Sequence, residues 1–349
     1  MISSIVRHSL DFVFANRGIN SLITEEIDHK NLEEARIQLN GKRPNAELET
    51  IKNAKGFNLV RRSWSPPSGT RTIGLVYICH GFTEHMGMYN GLGEFLSQAG
   101  LHCFGTDLIG HGLSDTIDGQ KAFVPDFDNC VQDMKKHVLD EKAKFGSNLP
   151  IFAVAHSMGG LLTLRLTLDN PGLFKGIVLV GPLIHFGSSA VFKSLPMQSL
   201  WPWVDTCFQW IIKQIGSTLI SRLDNFQIGV THLDNITSDI YMRQLLERDH
   251  LRHFGGIYFD MLSQFSGTIA RNLHDLDKMT TPFCILFGQN DPLCNVKGGW
   301  DMYFGCNMVN KADKQIIEFP HASHQLYLEI SPIREKAMRD TLAFLLART

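Results

Sequence analysis

Neither sign of charge predominates in this 349-residue chain: 33 lysines and arginines meet 35 aspartates and glutamates, a net charge of −2. That balance gives no electrostatic footprint for a nucleic-acid partner. Charged residues of either sign make up only 19% and hydrophobic residues 44%, which excludes a disordered, solvated chain and indicates a well-packed core. No run approaches the roughly 20 apolar residues that a membrane-spanning helix needs. The first ten residues hold no apolar core long enough for a secretory signal. Seven cysteines (79, 103, 130, 207, 284, 294 and 306) stand far apart without a C-x-x-C pair. Neither a zinc site nor a disulfide framework is suggested, and reduced thiols in a cytoplasmic chain are expected. Repeats and low-complexity tracts are missing. The N-terminus does place Ile2, Ile5, Val6 and Val13 at helical spacing beside Arg7 and Arg17, which leaves organelle targeting or a surface helix as a secondary reading.

What is present is alternation. Residues 1–50 are polar and charge-mixed and read as an N-terminal extension carrying a helix or two. Residues 57–64 alternate like an edge strand, and the Ser-Pro-Pro-Ser-Gly-Thr stretch at 65–70 is a turn. Residues 73–79 are continuously apolar, as expected of a central strand buried on both faces. A helix follows with Tyr89, Leu92, Phe95 and Leu96 on one side, then a strand at 101–106, a helix at 127–144, a strand at 151–155, a helix after Ser157 and a strand at 176–180. This order predicts an α/β protein with a doubly wound, mostly parallel sheet. The alternation lapses over 184–275, expected to be a cap inserted into a core formed by 51–183 and 276–349. It resumes with a strand at 282–287, a helix at 300–309, a strand at 315–319 and a closing helix at 332–347.

Chemistry gathers at the strand ends. In Ala155-His-Ser-Met-Gly-Gly160 a buried strand turns straight into a helix, so the central residue is forced into a cramped backbone and needs small neighbours two positions away on each side. Ala155 and Gly159 supply them, and the turn lifts the Ser157 hydroxyl clear of the sheet beside free helix N–H groups. This is the nucleophile elbow of an α/β-hydrolase fold. A serine nucleophile needs a base and a carboxylate to orient it, in the chain order Ser, Asp or Glu, His. The loop after 282–287 offers Asp291, while the loop at 181–184 holds no carboxylate. The loop after 315–319 offers two imidazoles: His324, deeper in the loop beside the next helix, is preferred over His321. His80-Gly-Phe82 follows the central strand, so the amides of Phe82 and Met158 are candidates to meet the developing oxyanion.

Together, Cys79-His-Gly-Phe-Thr-Glu-His-Met86, Asp107-Leu-Ile-Gly-His-Gly-Leu-Ser114, Ala155-His-Ser-Met-Gly-Gly160 and Asn290-Asp-Pro-Leu-Cys294 resemble the monoacylglycerol lipase and lysophospholipase branch of the α/β-hydrolases over residues 57–348. The resemblance implies a capped serine hydrolase of monoacyl lipids that uses no metal or cofactor. By the same match Ser157 is the nucleophile, Asp291 the acid, His324 the base, and Phe82 and Met158 the oxyanion amides. Ala155 replaces the usual glycine, and Gln325 stands where an acidic residue is common.

Residues 201–212 are the most aromatic stretch. Trp201, Trp203, Phe208, Trp210 and Ile211 are read as substrate-binding, lining an acyl-chain tunnel whose lip touches a bilayer or micelle, with Gln209, Lys213 and Gln214 at headgroup level. The alternative is that they only pack the cap onto the core. Each buried methylene contributes ~0.8 kcal/mol, so such a tunnel would favour long chains. The expected activity is hydrolysis of a monoacylglycerol or lysophospholipid ester. Rivals on the same triad are an aminopeptidase-like amidase, for which Asp205, Asp224 or Asp234 would hold the substrate ammonium, a perhydrolase and an acyltransferase. A non-catalytic ligand-binding protein of the same fold is the rival from outside enzymes. The sequence assigns no oligomeric state.

Overall fold

The computed structural model describes residues 21–41, 46–146, 148–187, 227–228 and 232–349. Its strands are β1 (Glu47–Lys52), β2 (Asn58–Trp64), β3 (Gly74–Cys79), β4 (Leu101–Thr106), β5 (Ile151–His156), β6 (Gly176–Val180), β7 (Gln227–Ile228), β8 (Ile257–Tyr258), β9 (Phe283–Gly288) and β10 (Lys314–Phe319). Eight of them form one sheet in the order β1-β2-β4-β3-β5-β6-β9-β10, and β7 and β8 make a small antiparallel ribbon. The ladder is parallel from β4 to β10 and antiparallel at β1, β2 and β4.

The central strands read as apolar runs because both of their faces are covered. In β3, Leu75, Tyr77 and Cys79 enter one core layer while Val76 and Ile78 enter the other. Parallel neighbours require helical crossovers. These are α2 (Asn90–Gln98), α3 (Phe127–Phe145), α4 (Ser157–Asp169), α6 (Phe259–His274) and α7 (Val296–Gly305); α8 (Ser331–Leu346) closes the chain. The ends of α3 are written in its sequence. Asp126 accepts from the Asn129 amide, Asp128 sits in the first turn, Lys142 and Lys144 sit in the last, and Gly146 leaves at φ +84°.

Several boundaries differ from the sequence expectation. The edge strand is β1, not 57–64: Glu47 pairs with Ser63, so the sheet begins inside the segment assigned to the extension. Glu-Leu-Glu-Thr-Ile-Lys presents no apolar face, and Leu48 is exposed, so periodicity gave no signal. Helix α1 (Ser21–Asn40) also belongs to the body, with Ala35 buried and the Asn31 side-chain amide donating to the Tyr241 hydroxyl at 3.2 Å on α5 (Ile240–Glu247). Finally, α6 lies within the range drawn as the cap but is the crossover from β6 to β9. Phe265 and Met261 enter the core, and the Asn272 amide donates to the Leu161 carbonyl of α4 at 3.0 Å. Helix α7 starts at Val296, because Asn295 caps it by accepting from the Lys297 amide.

Candidate active site

Strand β5 ends at His156 and α4 begins at Ser157, which sits at φ +52°. A left-handed backbone at a non-glycine residue costs about 1–2 kcal/mol, so the surroundings must enforce it. They do. A Cβ on Gly159 would stand 2.5 Å from the carbonyl oxygens of both Cys79 and His80, and one on Gly160 would stand 2.9 Å from Pro182. The Leu183 amide donates to the Ser157 carbonyl at 3.1 Å. The Met158 amide lies in the first turn of α4, where N–H groups have no intrahelical partner.

Beyond β9, the Asp291 carboxylate is fixed on both oxygens. Its Oδ1 accepts from the amides of Leu293 (2.8 Å) and Cys294 (3.0 Å), and its Oδ2 lies 2.7 Å from His324 Nδ1. A carboxylate only accepts, so the proton of this bond is on Nδ1, which leaves Nε2 as the basic nitrogen. The two side chains are 1% and 2% exposed. The amides of His324 and Gln325 donate to the carbonyls of Asn235 (3.4 Å) and Ile236 (2.8 Å), fastening this loop to the chain before α5. His321 is exposed, at φ +62°, outside this cluster.

The Cys294 thiol joins the three expected residues. Its sulfur, a carboxylate oxygen of Asp291 and a ring nitrogen of His324 lie within 4.8 Å of one another. Among the described residues these are the donor atoms nearest to a metal-binding set. However, Nδ1 of His324 is already bonded to Asp291, and burial, helped by the Asp291 charge, holds the thiol well above its usual pKa. The set therefore presents an oriented base and a neutral thiol.

Sequence reasoning quoted Glu84 within a motif but gave it no role. It is 2% exposed, and its oxygens accept from the Gly81 amide (2.7 Å), the Tyr89 hydroxyl (2.6 Å), His156 Nδ1 (3.0 Å) and the Gln325 amide (3.1 Å). Burial alone would raise its pKa. The His156 ring and the hydrogen bonds from His156, Tyr89 and Gly81 outweigh burial and hold the carboxyl well below the usual range. Gln325, noted as a departure, is thus a tie between the histidine loop and the Phe82 loop. His80 adds a second tie, facing the Gly81 carbonyl with Nδ1 (2.8 Å) and accepting from the Leu108 amide with Nε2 (2.9 Å). The available signal was a lone acidic residue just past a strand buried on both faces. Trp201, Trp203, Phe208, Trp210 and Ile211 lie outside the described residues, and so does the lip proposed to touch a membrane. Among the described residues no helix is long and apolar enough to cross a membrane.

A mostly parallel eight-stranded sheet, a strained serine between strand and helix, and a buried His–Asp pair beyond later strands describe a serine hydrolase of the α/β-hydrolase fold. The chain belongs to the family described as Serine aminopeptidase, S33, whose model matches residues 70–331. It is 31% identical over 317 residues to the monoglyceride lipase of Homo sapiens, covering 88% of this chain and 92% of that one. Over 294 residues it is 31% identical to the monoacylglycerol lipase of Mycolicibacterium smegmatis, covering 84% and 94%. Among solved structures, a soluble variant of monoglyceride lipase from Saccharomyces cerevisiae superposes with TM-score 0.71 at 24% identity, covering 88% of this chain and 97% of that one.

Proposed function

We propose that the protein hydrolyses the carboxylic ester of a monoacyl lipid, a monoacylglycerol or lysophospholipid, through Ser157, His324 and Asp291. His324 Nε2 takes the proton of the Ser157 hydroxyl as the oxygen attacks the ester carbonyl carbon. The amides of Phe82 and Met158 meet the oxyanion of the tetrahedral intermediate. The imidazolium, steadied by Asp291, returns the proton to the leaving alcohol, and an acyl-serine remains. Water then attacks that ester with His324 again as base, which releases the fatty acid and restores the serine.

The observation that carries this reading is the 2.7 Å His324–Asp291 bond beside the elbow serine, in a chain similar along most of its length to monoglyceride lipases. The amidase reading needs a free carboxylate for a substrate ammonium. Of its candidates, Asp234 is exposed and paired with Arg243, while Asp205 and Asp224 lie outside the described residues. The test is labelling with a fluorophosphonate, followed by hydrolysis of a panel of monoacylglycerols, lysophosphatidylcholine and aminoacyl amides. Ser157→Ala should abolish labelling and cut turnover by several orders of magnitude. Full esterase activity in that variant, or amide turnover exceeding that of every ester, overturns the reading.

A further inference from the structure

The loop at 81–85 is held from above as well as from below. Glu84 and His80 anchor it to the sheet and the Phe82 ring packs on His111 and Phe265, while Thr83 and His85 are held by the turn after α5. The His85 ring lies 2.7 Å from the Asp249 carboxylate through Nε2, with Nδ1 accepting from the Gly87 amide, so Nε2 carries the proton donated to Asp249. Arg252 donates from Nη2 to the Thr83 hydroxyl at 3.1 Å. Asp249 and Arg252 form one local unit, because the Arg252 amide donates to the Asp249 carbonyl and the Leu251 amide to the Asp249 carboxylate.

Arg252 and Thr83 are both unusual. Thr83 is β-branched, 1% exposed and at φ +64°, a conformation such a residue adopts only under constraint. Arg252 is 3% exposed, and its Nε and Nη1 have no partner among the described residues. A buried guanidinium with a single neutral acceptor among the described residues is a poor source of stability, since desolvation exceeds what one hydrogen bond returns. The nearby charges of Glu84 and Asp249 and the Phe254 ring, 5.7 Å from the guanidinium carbon, offset only part of that loss. What the arrangement does achieve is geometric: it clamps the residue that follows Phe82.

We infer that Arg252 is a positioning residue for the oxyanion site, holding Thr83 in its left-handed conformation and thereby fixing the direction of the Phe82 amide. The inference rests on the proposed role of that amide.

The experiment compares the full chain with its Arg252→Met, Arg252→Lys, Thr83→Val and Thr83→Ser variants and the Arg252→Met/Thr83→Val double variant. The substrates are a monoacylglycerol-type ester and its thionoester, whose sulfur is a weak acceptor and gains little from oxyanion donors. Arg252→Met and Thr83→Val should each lower kcat on the ester about 10- to 100-fold with KM within about twofold, the range expected from a misplacement of about 1 Å. The thionoester rate should change far less, Thr83→Ser and Arg252→Lys should recover much of the loss, and the double variant should be no worse than the singles. Equal losses on the two substrates, additive losses in the double variant, or an unchanged kcat would overturn the inference. Thr83→Val, nearly isosteric, decides the matter should Arg252→Met not fold. Ser157→Ala in the same assay separates the two readings: if it stays active, the proposed function fails, whereas if it is inactive and Arg252→Met is fully active, only this inference does.

Discussion

His324 donates from Nδ1 to Oδ2 of Asp291 across 2.7 Å, and Oδ1 of the same carboxylate is taken by the backbone amides of Leu293 and Cys294. The aspartate thus has no freedom to turn, and the imidazole is held in one tautomer. Asp291→Asn would present an N–H to a nitrogen that itself carries a proton, favouring the opposite tautomer with Nε2 protonated. Turnover of a monoacylglycerol at neutral pH should fall about 10³- to 10⁴-fold, while fluorescence-monitored unfolding changes much less. A variant keeping a tenth of wild-type kcat would show that this pair does not set the base.

Size at the elbow is set by backbone atoms. Gly159→Ala would press a methyl group 2.5 Å from the Cys79 and His80 carbonyl oxygens, neither of which can move without shifting β3. The expected result is destabilisation of about 1–3 kcal/mol and a marked drop in fluorophosphonate labelling rate. Ala155→Gly, which restores the residue more usual at that position, should label within about twofold of wild type, losing only ~0.5–1 kcal/mol for a glycine inside a strand. Labelling kinetics and thermal unfolding of both variants give the comparison.

Glu84 is a carboxylate surrounded by donors, so an isosteric amide cannot replace it. Glu84→Gln turns an NH₂ toward groups that themselves donate, and about 2–4 kcal/mol of stability should be lost. The pH dependence follows from its lowered folded pKa. The stabilisation is complete above the unfolded value near 4.5 and disappears as pH falls toward the folded value. Unfolding midpoints of the two proteins should therefore converge below about pH 4, and a constant difference down to pH 3 would contradict the assignment.

His137 on α3 packs edge-on against Tyr77 and Phe104, and neither ring nitrogen has a partner among the described residues. Burial, together with the Arg61 and Lys144 charges and against those of Glu141 and Asp140, pushes its pKa down to about 3. The unfolded chain takes up a proton near pH 6.5 that the folded chain refuses, so stability falls as pH drops from 6.5 toward 3, by about 1.4 kcal/mol per unit. Leucine is of similar volume and does not titrate. Between pH 7.5 and 5.0, urea unfolding of His137→Leu should lose roughly 2 kcal/mol less than wild type. Equal losses would place the acid sensitivity elsewhere, with His111, also lowered to about 3, the next residue to replace.

The parts legible in the sequence were those with a local signature. Continuous apolar runs marked β3, β5, β6 and β9, because strands buried on two faces cannot alternate. The small residues around Ser157 marked the elbow. Loop position alone marked Asp291 and favoured His324 over His321. The solvated β1 carries no pattern and was assigned to the extension. Helix α6 has an apolar stripe like that of any cap helix, and only its packing on α4 shows that it is a crossover. Glu84 stood in plain view, but a carboxylate has no meaning until its donors are known.

By itself, then, the amino-acid order determined the strand–helix rhythm, the cramped turn at Ser157 and the succession of serine, aspartate and histidine loops. These depend on the steric and apolar character of neighbouring residues, which any short window displays. The tertiary structure alone decided that Glu84 meets His156 across 72 positions and that Arg252 meets Thr83 across 169. Such pairings are set by how the sheet twists and where loops from distant strands converge, and a buried polar side chain reveals its purpose only through the partners that this convergence brings to it.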